Sequence, residues 1–107
     1  MAHIAYTVTA TIPNTILADR YVAWLEGGHL AGVLAGGAFA ARAVRLDGPE
    51  PPVRVQVRYT FPSREAFGRY EAEFAPALRA EGVELFGPDT GIVFERSVGA
   101  IIASVSA

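Results

Sequence analysis

The chain has no cysteine. Disulfides, thiolate metal sites and cysteine nucleophiles are therefore excluded, and a reducing cytoplasm is the expected location. Lysine is also missing, and all nine basic residues are arginine. With a net charge of −2 and no arginine-rich block, the electrostatic footprint of a nucleic-acid binder is absent. The glycine-rich uncharged run at residues 27–41 is shorter than the roughly 18–20 residues of a spanning helix, so no membrane segment is expected. The start, MAHIAYTVTATIP, lacks a basic region followed by a continuous apolar run and alternates too regularly for an export signal. GxGxxG, P-loop, HExxH and GxSxG motifs are all missing, which removes nucleotide, zinc-protease and serine-hydrolase readings. The reading calls for no metal and no cofactor.

What is present is a chain of 107 residues, 51% hydrophobic, which suits one domain with one core and not a disordered adaptor. Residues 3–12 alternate Ile4, Tyr6, Val8, Ala10 and Ile12 against Ala5, Thr7, Thr9 and Thr11, the pattern of a strand with one greasy and one polar face. Pro13 ends it, and Asn14 can cap a helix running from about 14 to 26, with Leu17, Tyr21, Trp24 and Leu25 on one side. A short helical piece from His29 to about Ala35 precedes Gly36-Gly37. FAARAVRLD, from Phe39, is a strand, joined through the linker GPEPP (48–52) to VRVQVRYTF (53–61) as a hairpin. In that last segment Val53, Val55, Val57, Tyr59 and Phe61 alternate strictly with Arg54, Gln56, Arg58 and Thr60. Ser63 caps a helix marked by Phe67, Tyr70, Phe74 and Leu78, with Pro76 inside it as a kink or restart. Gly82 and Gly87-Pro88 close this region, and GIVFERSVGAIIAS, from Gly91, is a strand running nearly to the C-terminus.

The order β-α-β-β-α-β is the split-βαβ, ferredoxin-like arrangement: α+β, with a four-stranded antiparallel sheet carrying both helices on one face. Right-handed crossovers place the first and third strands in the centre. The other face carries Thr7, Thr9, Arg54, Gln56 and Arg58, and it meets either water or a second copy of the chain.

W-x-x-G-G-H-L in the first helical region, G-G-A-F before the second strand and YEAEFAPALRAE in the second helix resemble an uncharacterised bacterial family of domains of unknown function in the dimeric α/β-barrel superfamily. The likeness runs from about Ile4 to Val98 and is most specific at Trp24 with His29, Gly37 with Phe39, and Phe74-Ala75-Pro76 with Leu78-Arg79. It implies a homodimer whose two sheets face each other as a barrel with the helices outside. Superfamily members include cofactor-free monooxygenases, muconolactone isomerases and dye-decolourising enzymes, and shared fold does not select among them. Chains of this group often carry a second histidine late in the second helix, where this one has Gly82. A two-histidine metal site or relay is therefore not expected, and His3 replaces the missing ring only if the termini fold back.

The stretch WLEGGHLAGVLAGGAF poses the one local puzzle. At an advance of about 100° per residue, Leu17, Tyr21, Trp24 and Leu25 cluster on one arc. Leu30, Val33 and Leu34 fall on the opposite side, so no straight helix buries both sets. Gly27-Gly28 supplies the backbone freedom to redirect the chain, and packing alone explains it. Packing does not explain His29. It is either a helix-end partner, hydrogen-bonded to an orphan carbonyl or starting a new helix, or a general base or donor in a pocket between helices and sheet.

As candidate sites, His29 stands as catalytic; Trp24, Tyr6, Tyr59 and Phe39 as ligand-binding; and Arg54, Gln56 and Arg58 as interface residues. Tyr21, Phe67, Tyr70 and Phe74 read as core, and Glu71 with Glu73 as solvated surface and not a carboxylate dyad. Arg54 and Arg58 with Glu95 or Arg96 read as ion pairs across a dimer interface ahead of an anion site. Two functions follow. One is a small cofactor-independent enzyme, or binder, of an apolar or aromatic metabolite. The other is a non-catalytic dimerisation or assembly module using the apolar end GAIIASVSA.

Overall fold

The computed structural model describes residues 2–107. Strand β1 spans Ile4–Ile12, helix α1 Thr15–Trp24, α2 Leu30–Ala35, β2 Ala40–Arg45 and β3 Val53–Phe61. Helices α3 (Arg64–Glu73) and α4 (Ala75–Phe86) follow, and strand β4 (Val93–Ala100) completes the order. The sheet is antiparallel throughout, in the order β2-β3-β1-β4, so the first and third strands are central as expected. It is an open four-stranded sheet with the helices on one face, the ferredoxin-like α+β fold. Among the described residues no helix is long and apolar enough to cross a membrane.

The period-two patterns place the core. Ile4, Tyr6, Ala10 and Ile12 of β1 lie opposite Phe61, Tyr59, Val55 and Val53 of β3, and all are buried beneath the helices. On the other face Thr7 opposes Arg58, Thr9 opposes Gln56 and Thr11 opposes Arg54. Arg42 of β2 lies beside Arg58, and Glu95 of β4 beside Thr9. Arg58 Nη2 donates to the side-chain oxygen Oε1 of Gln56 at 2.8 Å, as two residues apart on one face can.

Both expected helix caps form: the Asn14 side chain accepts from the Leu17 amide at 2.9 Å, and Ser63 Oγ accepts from the Ala66 amide at 3.1 Å. Pro76 is a restart and not a kink, because α3 stops at Glu73 and α4 begins at Ala75 with the proline in its first turn, where a missing amide proton is harmless. Gly82 does not close a helix. It lies inside α4, and the chain leaves the helix at Gly87. The last strand is shorter than the apolar run predicts, since Ala100 pairs with Ile4 and β1 offers no partner beyond it. One further bond, from the Ile101 amide to the His3 carbonyl at 2.8 Å, precedes an exposed tail.

The break falls where the wheel argument requires. Residues Leu25–His29 form a wide turn between α1 and α2. Gly28 alone leaves helical geometry there, at φ 150° and ψ −22°, which side-chain-bearing residues rarely adopt. Leu25 and Val33 are buried on either side of the turn, whereas Leu34 points outward. A Cβ at Gly27 would meet nothing within 4 Å. Gly28→Ala is therefore expected to lose about 1–3 kcal/mol in denaturant unfolding, and Gly27→Ala to be neutral or gain a few tenths. Equal losses at both positions would contradict this division of labour.

Candidate functional site

The helices do not cover the sheet completely. Between α1, α4 and the β1–β4 side of the sheet lies a cavity of about 390 Å³. Its floor is Tyr6 and Val8 of β1, Tyr59 of β3, and Phe94 and Arg96 of β4. Its far wall is a stripe of α4, Arg79, Gly82, Val83 and Phe86, whose spacing of three and four residues puts them on one helix face. Tyr21, Trp24 and His29 close it from the bent first helical region.

The imidazole of His29 lies flat against the Trp24 indole, with ring centroids 4.0 Å apart and planes at 21°. The indole is held in turn: Trp24 Nε1 donates to Glu81 Oε1 at 2.8 Å. A Cβ added at Gly82 would sit 3.4 Å from Trp24 Cη2, in ordinary contact, so the glycine lies against the indole edge. His29 occupies the residue before α2 and makes no capping bond, and its Nδ1 is buried without a partner. The helix-start half of its structural reading is thus correct and the carbonyl-partner half is not. Burial holds the His29 pKa below its ordinary value of 6.5, partly opposed by the Glu81 carboxylate.

The sign of the resulting pH dependence is fixed. Above 6.5 both folded and unfolded chains hold a neutral ring; as pH falls, the unfolded chain takes up the proton first and stability declines until the lower folded pKa is reached. His29→Asn, which removes the ring stack, is expected to cost about 1 kcal/mol near pH 8. That difference should narrow toward pH 5, as the wild-type protein alone carries this penalty. Thermal unfolding across pH 5–8 measures it, and a gap that stays constant or widens would contradict a lowered His29 pKa.

The phenols add a second kind of group. Tyr6 stacks on its cross-strand partner Tyr59, with centroids 5.8 Å apart, and its hydroxyl accepts from Arg79 Nη2 at 3.5 Å. Burial pushes the Tyr21 phenol up to about 12 against the pull of Arg96, and the Tyr70 phenol up to about 12. Burial raises Tyr59 further still, with neighbouring tyrosines adding to it. These hydroxyls stay protonated and are available as hydrogen-bond donors, beside His29, Arg79 and Arg96 in a lining that is mostly apolar. Among the described residues no three His, Asp or Glu side chains converge on a point where a metal ion would sit.

Of the residues singled out by sequence, His29, Trp24, Tyr6 and Tyr59 meet at this cavity, and Phe39 does not. Phe39 leads into β2, on the edge of the sheet opposite β4; it is 52% exposed and packs edge-on against His3, with centroids 5.0 Å apart. His3 is thereby engaged away from His29 and supplies no second imidazole. Arg54, Gln56 and Arg58 lie on the open sheet face, as expected. Arg96 does not join them, because it pairs with Val8 and shares the helix side with Phe94. Sequence reasoning assigned Tyr21 and Tyr70 to the core and gave Arg79 no part in the cavity. The spacing of Arg79, Gly82, Val83 and Phe86 was the signal available for that wall. Glu71 is not merely solvated: it pairs with Arg79 at 2.6 Å.

Fold and cavity together define a ferredoxin-like α+β domain with an aromatic-lined pocket between sheet and helices. Residues 3–98 match the family described as Domain of unknown function (DUF4286), and the chain belongs to that family. No curated protein matches the sequence. Among solved structures, a dimeric ferredoxin-like protein from an uncultured marine organism is 17% identical, with a TM-score of 0.82 over 98% of this chain and 100% of that one. SnoaB, a cofactor-independent oxygenase from Streptomyces nogalater, is 12% identical, with a TM-score of 0.67 over the whole of both chains. A monooxygenase from the gene ActVA-Orf6 of Streptomyces coelicolor, solved in complex with nanaomycin D, is 14% identical, with a TM-score of 0.70 over 99% of this chain and 93% of that one. At these identities the likeness is one of fold.

Proposed function

We propose that this protein is a cytoplasmic homodimer that binds a small apolar or aromatic metabolite in the cavity beside His29 and acts on it without a cofactor. The observation that carries the reading is the cavity itself. A core of this size is ordinarily packed without voids, and here about 390 Å³ is left open between aromatic walls that also bear protonated phenols and an imidazole. Neutral His29 can accept a proton from an acidic carbon or hydroxyl of a bound aromatic, and the phenols can donate to the oxygen on which charge develops. Two structural neighbours are described as oxygenases, one of them cofactor-independent, which supports chemistry of this kind.

Trp24 is the only tryptophan and lines the cavity, so its fluorescence reports occupancy. Titration with a panel of bicyclic and tricyclic aromatics should yield compounds that quench it and raise the melting temperature in proportion to the logarithm of their concentration. Incubation of the best binder in air, with and without His29→Asn, then tests turnover. A panel without a single binder would overturn the reading.

The homodimer forms, in this proposal, through the open sheet face carrying Arg54, Gln56 and Arg58, with the two sheets completing a barrel. Light scattering at micromolar concentration should give twice the 11.3 kDa chain mass. Arg54→Glu or Arg58→Glu should weaken the dimer and leave helix and strand content unchanged, since these side chains point away from the helices. A wild-type mass of one chain would contradict the dimer, and undiminished association of both variants would contradict the face.

A second reading, a non-catalytic assembly module, is favoured by one observation: Ile102 and Val105 in the tail are 96% and 99% exposed. Removal of residues 101–107 separates the two, because it should abolish association under the second reading and leave ligand binding intact under the first.

A further inference from the structure

We propose that the ligand of the cavity is an aromatic acid, its rings held in the cavity and its anionic group bound by Arg96 at the β4 edge. The inference rests on the ligand-binding reading above and adds the charge and orientation of the ligand.

The cavity holds two guanidinium groups, and they are in different states. Arg79 is committed, paired with Glu71 at 2.6 Å and donating to the Tyr6 hydroxyl at 3.5 Å. Arg96 has no carboxylate within ion-pairing distance among the described residues, and its only recorded aromatic contact is the Phe94 ring, whose centroid lies 5.7 Å from its Cζ. Its sequence neighbour Glu95 is no remedy. Successive strand residues point to opposite faces, and Glu95 lies beside Thr9 on the open side of the sheet.

Arg96 is exposed, so water solvates its charge, and the lack of a protein partner leaves its guanidinium available to a ligand. On an edge strand, an inward-pointing charge can serve simply to deter edge-to-edge association. What distinguishes Arg96 is its company. It borders an open cavity, and its charge is felt at both the Tyr21 and the Tyr70 hydroxyls, phenols that burial keeps protonated. Among the described residues, the Tyr21, Tyr59 and Tyr70 hydroxyls have no protein hydrogen-bond partner, and none is sealed off as a buried orphan. One full positive charge beside protonated phenols is the donor set for a carboxylate or phenolate oxygen. The rest of the lining is aromatic: Trp24 and Tyr21 each meet Phe86 at 5.4 Å between centroids, and Tyr21 meets Phe94 at 6.0 Å. A flat apolar body fits this lining, and a polar or highly branched one would leave its own groups unpaired.

The test uses 2-naphthoate, ionised at neutral pH, and its uncharged near-isostere 2-naphthamide, each titrated against the full chain with Trp24 fluorescence and calorimetry as readouts. The wild-type protein should bind the acid roughly tenfold or more tightly than the amide, the preference a charge-assisted contact supplies. Arg96→Gln should erase that preference by weakening the acid alone, with amide affinity unchanged. Arg20→Gln, an exposed arginine of α1 outside the cavity, should preserve it. Equal affinity for acid and amide in the wild-type protein would overturn the anion proposal while leaving the ligand-binding reading standing. So would a preference that survives Arg96→Gln, or one lost equally in Arg20→Gln. Binding of neither compound would overturn both.

Discussion

Gly82→Leu is expected to lower the affinity for a cavity ligand such as 2-naphthamide at least about a hundredfold while the chain stays folded. Residue 82 faces the cavity from α4, and its Cβ position is in ordinary contact with Trp24 Cη2 at 3.4 Å. A methyl group fits there; the branched end of leucine has only the cavity to enter. Steric exclusion of an aromatic ring from an apolar site easily exceeds the roughly 2.8 kcal/mol that a hundredfold represents. Stability is subject to two opposed effects. Leucine favours helix over glycine by close to 1 kcal/mol, and crowding of the indole opposes it by about 1–3 kcal/mol. Gly68→Leu is the control, since glycine 68 lies in α3 with nothing within 4 Å of its Cβ position. Full ligand affinity in Gly82→Leu would place binding elsewhere.

Phe61→Ala should be the most destabilising single truncation, with a loss of about 3–5 kcal/mol in urea unfolding. The ring is fully buried at the end of β3 and meets Phe67 and Tyr70 of α3 at 5.2 and 5.1 Å between centroids. Its removal leaves a void that the surrounding sheet and helix cannot close, out of a total stability of about 5–15 kcal/mol for a domain of this kind. Phe39→Ala, at the half-exposed start of β2, should lose only about 1 kcal/mol. Comparable losses at the two positions would mean that the core is not where the register puts it.

The two phenylalanines show what a linear pattern can and cannot resolve. Phe61 ends a segment of strict alternation, so its face follows from Val53 four pairs earlier. Phe39 follows two glycines and precedes a strand whose two faces are both small and mixed, and nothing local decides whether it turns inward. The same difficulty affects β4. Val93 and Phe94 are both apolar, Glu95 and Arg96 both charged, and only the pairing of Arg96 with Val8 assigns it to the helix side.

His29 is a related case. The glycine bend beside it was predictable from the wheel geometry of Leu17 through Leu34, and Gly28 proves to be the residue at which the backbone turns. Its imidazole, however, lies against Trp24 only because α4 brings Glu81 to the indole nitrogen and Gly82 to the indole edge, from more than fifty residues further along the chain.

The amino-acid sequence by itself determined the order of strands and helices, their caps, the buried faces of β1 and β3, and the exclusion of thiol chemistry. Each of these depends on residue type and on spacing within one segment, where backbone geometry imposes a period of 2 or 3.6. Tertiary structure decided that the core is incomplete on the β1–β4 side, that four tyrosines and Arg96 face the opening, and that Phe39 stands apart from it. Those outcomes depend on how far α1 and α4 stand from the sheet, which is set by the summed volumes of side chains remote from one another in sequence and is written in no single period.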